Sequence, residues 1–230
     1  DITDRNNLDI IFKSFKPNKV VHLAAQAGVR YSIENPYAYL DANLSGFLNI
    51  LELCHHNRID GLIYASSSSV YGSNTKSPSS TKDRTDHPVA LYGATKKANE
   101  LMAHSYSHLY NFQTIGLRFF TVYGPWGRPD MAMYLFADKI SKGEPISVYN
   151  HGKMKRDFTY IDDIINGTKA ACNINSKYDV FNLGNHKSEN LMDMISLIED
   201  CLGKKAIIDF QPMQPGDIPE SFADIDKSIK

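Results

Sequence analysis

The chain has 230 residues, of which 42% are hydrophobic and 22% charged, with a net charge of −1. That length can bury one large core or two small ones, and the balanced charge gives no argument for a nucleic-acid or anionic-membrane partner. Cys54, Cys172 and Cys201 are scattered and make no disulfide framework.

Residues 19–24, Lys-Val-Val-His-Leu-Ala, form a short apolar run expected as a buried strand. Pro36 opens a long helical stretch that fades by Asn57. Leu40, Leu44, Phe47, Leu48 and Leu51 fall along it at helical spacing, as a core stripe or an interface. Residues 62–65 are the next strand and run into Ser66, Ser67, Ser68 and Ser69. A polar loop over 72–88 precedes a helix over 91–110 and a third strand over 114–119. Apolar strands alternating with helices argue a parallel sheet covered on both faces.

The texture changes from Gly124. A loop, Gly-Pro-Trp-Gly-Arg-Pro, leads to a helix over 131–141 and a short strand over 145–149. A strand over 179–184, a helix over 191–202 closed by Gly203, a strand over 206–210 and a loop over 212–219 complete the pattern. No apolar run approaches the ~18 residues of a membrane span, no signal peptide is visible, and reduced thiols suit a reducing compartment. The expected location is cytoplasmic. His22, His55 and His56 lack acidic or cysteine partners at metal spacing, so no metal site is expected.

Tyr92 and Lys96 lie one helical turn apart on one face. A free phenol has a pKa near ~10 and is a poor base at neutral pH. An ammonium beside it favours the phenolate. With Ser67, these residues can take a proton from a sugar or alcohol hydroxyl while hydride leaves the same carbon.

These motifs have company. They include His22-Leu23-Ala24-Ala25, Val70-Tyr71-Gly72, Leu117-Arg118-Phe119-Phe120 before Tyr123-Gly124-Pro125, and Arg156-Asp157-Phe158 with Tyr160 and Asp162-Asp163. Phe181-Asn182-Leu183-Gly184 and Pro215-Gly216-Asp217 follow. Together they resemble the extended short-chain dehydrogenases/reductases, the NAD-dependent nucleotide-sugar epimerases and dehydratases. The resemblance implies an α/β fold: a truncated Rossmann-like doubly wound parallel sheet with a smaller α/β substrate-binding domain. It implies a partial NAD-binding unit over 1–124, to which segments near 155–184 return. Residues 125–154 and 185–230 would form the nucleotide-sugar-binding unit. Within the family, the 124–132 loop is most similar to that of the UDP-glucuronate 4-epimerases, often labelled capsular polysaccharide biosynthesis proteins.

That resemblance assigns roles. Tyr92 would exchange the C4 proton, Lys96 would hold the nicotinamide ribose and depress the Tyr92 pKa, and Ser67 would hydrogen-bond the C4 oxygen. Dehydratases of the family carry Asp and Glu where Ser68 and Ser69 stand, which favours inversion over elimination. Leu23, Ala24, Ala25 and Phe119 would border the NAD, and Asn43 would face the serine strand. Asp1 and Ile2 match an Asp–apolar pair whose carboxylate meets adenine. Arg128 would meet the carboxylate of UDP-glucuronate as a bidentate fork, with Thr121 beside it and Ser68 near the sugar. Ser147 and Tyr149 would border uracil, Arg156 would bind the diphosphate, and Asp217 would lie near the uridine ribose. Arg30 could reach the substrate or form a surface salt bridge. Helices over 36–57 and 91–110 resemble those that pair in the family's homodimer. The expected reaction is conversion of UDP-glucuronate to UDP-galacturonate through a 4-keto intermediate. The alternatives are another nucleotide-sugar epimerase, a 4,6-dehydratase, or an inactive truncated remnant.

The family's Gly-x-x-Gly-x-x-Gly motif, whose helix N-terminus binds the NAD pyrophosphate, does not occur in this sequence. The chain therefore reads as a fragment of a longer epimerase. It is expected to leave the 19–24 strand with an apolar edge and to bind NAD poorly.

Overall fold

A computed structural model describes residues 1–74 and 76–229. The first element is a helix, α1 (Arg5–Phe15), for which the apolar pattern gave no expectation. Its sequence signal is the cap: the Asp4 carboxylate accepts the Asn7 amide at 3.0 Å. Strand β1 (Lys19–His22) follows. It ends two residues earlier than expected, so Leu23, Ala24 and Ala25 lie just past its carboxyl end.

The long helical stretch is built in pieces. A short turn, α2 (Tyr31–Glu34), precedes α3 (Pro36–Tyr39), a π-helical segment (Leu40–Gly46) and α4 (Phe47–His56). The wider π turn divides the expected apolar stripe. Phe47 and Leu51 are buried in the core, whereas Leu40 and Leu48 face outward. Strand β2 (Gly61–Ser67) continues through the serines into a 3₁₀ turn (Ser68–Tyr71). Helix α5 (Leu91–Tyr110) and strand β3 (Gln113–Phe119) match their expected positions.

Beyond β3 come β4 (Thr121–Tyr123), α6 (Ala132–Lys142), β5 (Pro145–Val148), β6 (Lys155–Arg156) and β7 (Phe158–Tyr160). Helix α7 (Ile161–Ala171), also absent from the expectations, leads to β8 (Tyr178–Leu183). The remaining elements are β9 (Glu189–Asn190), α8 (Leu191–Leu202), β10 (Ile207–Phe210) and β11 (Glu220–Ser221). Gly203 closes α8 in the left-handed region, at φ 63°.

The main sheet has the order β1-β2-β3-β8, with every pair parallel. Successive β2 side chains point to opposite faces. Leu62 and Tyr64 pack with Phe47 and Leu51 on the α4–α5 side. Ile63 packs with Ile115, Leu117 and Ala171, the last from α7, on the other. Both faces are thus covered, as in a doubly wound sheet. β1 is the sheet edge among the described residues, with Val21 44% and Leu23 51% exposed. A separate core joins α6 and α8 to the parallel pair β5–β10 through Phe136, Ile140, Ile146, Val148, Met194 and Ile195.

Two buried polar devices tie these parts together. Arg118 grips Glu100 with two bonds, Nε to Oε1 at 2.7 Å and Nη2 to Oε2 at 2.8 Å. Its Nη1 donates to the Tyr71 hydroxyl, which donates to Asn182. Asp157 is fully buried, and its carboxylate accepts from Thr159 Oγ1 and from the amides of Asn185, His186 and Ala223. Every lone pair of these carboxylates that enters the interior is thereby matched to a donor.

Candidate active site at the carboxyl edge of the sheet

Register brings the first residues together. Ser67 of β2 pairs with Phe119 of β3, and Phe119 with Leu183 of β8. All three stand at the carboxyl ends of parallel strands, where ligands of such sheets lie. The Ser67 hydroxyl caps the following turn, accepting the Ser69 amide at 3.1 Å. Gly93 lets α5 approach that turn: a side chain there would come within 2.5 Å of the Ser69 carbonyl oxygen. The close approach sets Tyr92, in the first turn of α5, beside Ser67.

Burial raises the Tyr92 phenol above its ordinary range, while the Ser67 hydroxyl and then the Arg128 charge pull it back down. The Lys96 ammonium is held at the end of β2 rather than on the phenol. Lys96 Nζ donates to the Ala65 carbonyl at 2.9 Å. Lys96 is itself buried, and burial lowers its pKa to about 8. Two of its three N–H donors have no recorded protein partner among the described residues. His22, at the end of β1, is held neutral, its pKa lowered to about 4 by burial and by the Lys96 charge.

Asn43 is buried between the loop after β1 and α5. Its amide oxygen accepts the Gln26 amide at 2.8 Å, and its nitrogen donates to the Gln26 carbonyl and to Thr95 Oγ1. Asn43 therefore splints the loop after β1 to α5. Ile2 packs its side chain over Gly46, whose missing Cβ would lie 2.7 Å from it. The Asp1 carboxylate is exposed and accepts from the amide and hydroxyl of Thr3. Leu23 and Ala24 are exposed beyond β1, and Ala25 is half-buried.

Tyr92 and Ser67 open onto a cleft of about 540 Å³, within the range of small-molecule sites. Ser68, Phe119 and Thr121 line it on the sheet side. Arg128 and Asp130 enter from the loop before α6, and Ser147, Tyr149, Arg156 and Asp217 line the far end. Arg156 donates to Asp217 at 3.2 Å, and burial lowers the guanidinium pKa. Arg30 also lines the cleft, its guanidinium 5.4 Å from the centre of the Tyr149 ring. Three arginines thus surround a half-enclosed groove, an arrangement that attracts anions.

Tyr39 was not singled out by the sequence. It is fully buried, packs edge-on against the Tyr92 ring at 6.1 Å, and donates its hydroxyl to the Ala27 and Gly28 carbonyls. Nothing in its local sequence marks it, because its role depends on α3 meeting α5.

A parallel doubly wound sheet thus brings a serine, a tyrosine and a lysine together at its carboxyl edge, beside a cleft that attracts anions. Residues 1–184 match the NAD dependent epimerase/dehydratase family. The chain belongs to that family. It is 53% identical to Protein CapI of Staphylococcus aureus over 239 residues, covering 96% of this chain and 72% of that protein. It is 46% identical to a probable UDP-glucuronate 4-epimerase of Rhizobium meliloti, over 98% of this chain and 72% of that one. Among solved structures, it resembles the UDP-glucuronic acid 4-epimerase of Bacillus cereus in complex with UDP-glucuronic acid and NAD. The TM-score is 0.91 at 35% identity, covering 99% of this chain and 72% of that one. Among the described residues no helix is long and apolar enough to cross a membrane.

Proposed function

We propose that the chain inverts C4 of a UDP-sugar through a 4-keto sugar, and that its substrate is UDP-glucuronate, with UDP-galacturonate as product. The observation that carries the reading is Arg128: its guanidinium lines the cleft that holds Tyr92 and lies near enough to lower the phenol pKa. A carboxylate at C5 of the sugar is the group that such a fork would engage.

The Tyr92 phenolate takes the proton of the C4 hydroxyl and returns it after the sugar presents its other face. Ser67 hydrogen-bonds the C4 oxygen and stabilises the phenolate. Bound NAD would supply the hydride acceptor for C4 and the hydride donor for the return step. The donor set fits such a cofactor: a buried ammonium with two uncommitted N–H groups, beside short side chains at the carboxyl edge of the sheet. Lys96 would hold the nicotinamide ribose, with Leu23, Ala24, Ala25 and Phe119 along the cofactor and Asp1 toward its adenine. Ser68 and Ser69 supply no carboxylic acid for elimination, so the sequence of steps ends in inversion.

Thr121 joins Arg128 at the sugar. Arg156 and Arg30 neutralise the diphosphate, Tyr149 and Ser147 border the uracil, and Asp217 meets the ribose. Two chains pair through the helices over 36–57 and 91–110.

Incubation with NAD and either UDP-glucuronate or UDP-glucose tests the substrate. UDP-glucuronate is expected to reach a mixture with UDP-galacturonate while UDP-glucose persists. Arg128→Ala is expected to lower kcat/KM for the acid by roughly 10–100-fold, the worth of a charged hydrogen-bonded pair. Conversion of UDP-glucose alone would refute the carboxylate role.

A further inference from the structure

Asp130 lines the cleft beside Arg128 and takes no part in the proton transfer described above. Its geometry is specific. A guanidinium presents two edges with paired N–H donors, Nε with Nη2 and Nη1 with Nη2. Asp130 takes the first edge: Nε donates to Oδ1 at 2.9 Å, and Nη2 donates to Oδ2. Nη1 has no recorded partner among the described residues.

The backbone explains how residues two apart can pair this way. Side chains two residues apart share one face even of extended backbone, roughly 7 Å apart. Here the loop turns twice, the Gly127 amide donating to the Gly124 carbonyl and the Met131 amide to the Arg128 carbonyl. Gly28 lies beside Nη2: an added side chain there would come within 3.4 Å of Nη2 and 3.6 Å of the Tyr39 hydroxyl. Arg128 is therefore gripped on its Nε edge, with a glycine rather than a side chain close to Nη2. Asp130 stays ionised, its carboxyl held below the ordinary range by its bond to Arg128 and by the positive charge of Arg30.

We propose that Asp130 is a positioning residue for substrate selection: it clamps Arg128 by the Nε edge and leaves the Nη1 edge presented to the carboxylate of an acidic UDP-sugar. This rests on the reading of Arg128 as the carboxylate ligand. A neutral sugar offers nothing to the presented edge, so the clamp acts on the acid alone. An isolated exposed ion pair is worth little to stability. The effect of Asp130 therefore belongs in ligand discrimination rather than in folding.

The test measures Kd by calorimetry for UDP-glucuronate and UDP-glucose on the whole chain, and KM and kcat where turnover is measured. Asp130→Asn is expected to weaken UDP-glucuronate about tenfold, about 1.4 kcal/mol, while UDP-glucose changes less than about twofold. KM is expected to move more than kcat, because the clamp positions a binding group. Asp130→Glu, which restores two carboxylate oxygens, is expected to recover most of the loss. Equal weakening of both nucleotides would make Asp130 a general structural residue and overturn the proposal. Unchanged or tighter binding of UDP-glucuronate would also overturn it, the latter by showing that Asp130 competes for Arg128. Arg128→Ala separates the two readings. If it weakens UDP-glucuronate selectively and Asp130→Asn does not, only the clamp fails. If Arg128→Ala has no selective effect, the carboxylate reading fails and the clamp with it.

Discussion

In the proposed reaction the Tyr92 phenol moves the proton, and its surroundings pull in two directions. Burial raises its pKa, and Ser67 then Arg128 oppose that rise. The phenolate is the form that accepts a proton, so any change that raises this pKa reduces the active fraction at neutral pH. Removing the Ser67 hydroxyl does that. Ser67→Ala is therefore expected to slow turnover at pH 7 by roughly 10–100-fold, the worth of about 1.5–3 kcal/mol for a hydrogen bond to a charged group. The ascending limb of kcat against pH should move to higher pH, with the rate partly recovered under alkaline conditions. Ser66 makes a poor substitute, because its hydroxyl is committed to Glu100 at 2.7 Å. A Ser67→Ala profile that merely dropped without shifting would separate Ser67 from the phenol.

At the scale of elements, α5 carries the site on one face and its anchor on the same face. Tyr92, Lys96 and Glu100 follow at four-residue intervals. Tyr92 opens to the cleft, Lys96 reaches the end of β2, and Glu100 is locked to Arg118 of β3. The Glu100–Arg118 pair is buried, so breaking one side leaves an uncompensated charge. Glu100→Gln or Arg118→Met alone is expected to destabilise the chain by about 3–5 kcal/mol, read by denaturant unfolding. Replacing both by apolar residues of similar volume is expected to cost much less than the sum. Additive losses would mean that the pair does not act as a unit. The strands and α5 were legible in the sequence because each is an apolar run or a periodic stretch bounded by turn residues. Helix α7 was not, since it begins directly after β7 with Asp162 and Asp163 and so resembles a polar turn. The π segment also left no local mark. Within the site, Ser67, Tyr92 and Lys96 could be found by motif. The Lys96–Ala65 bond, the Asn43 splint and the Tyr39 packing are contacts between distant segments, which spacing along one helix cannot reveal.

At the scale of the whole molecule, the proposed pairing of two chains would cover apolar surface that this packing leaves exposed. Leu48 on the long helical stretch is 40% exposed and Leu101 on α5 is 60% exposed, although both helices bury their opposite faces in the core. Exposed leucines on neighbouring helices have apolar area to remove from water, and each is worth about 1.5–3 kcal/mol if fully covered. In a two-fold interface each residue is used twice. A single Leu101→Glu change would therefore remove two apolar contacts and insert two carboxylates. It is expected to weaken self-association by roughly 10²–10⁴-fold, a shift of about 3–6 kcal/mol. Sedimentation velocity across a concentration series measures this. Neither Leu48 nor Leu101 lines the cleft, so the Leu101→Glu variant should keep its affinity for UDP-sugars. Association that persists unchanged in Leu101→Glu would move the interface elsewhere on the surface. Loss of nucleotide binding together with the dimer would mean that pairing shapes the cleft through α5, the helix that carries both Tyr92 and Leu101.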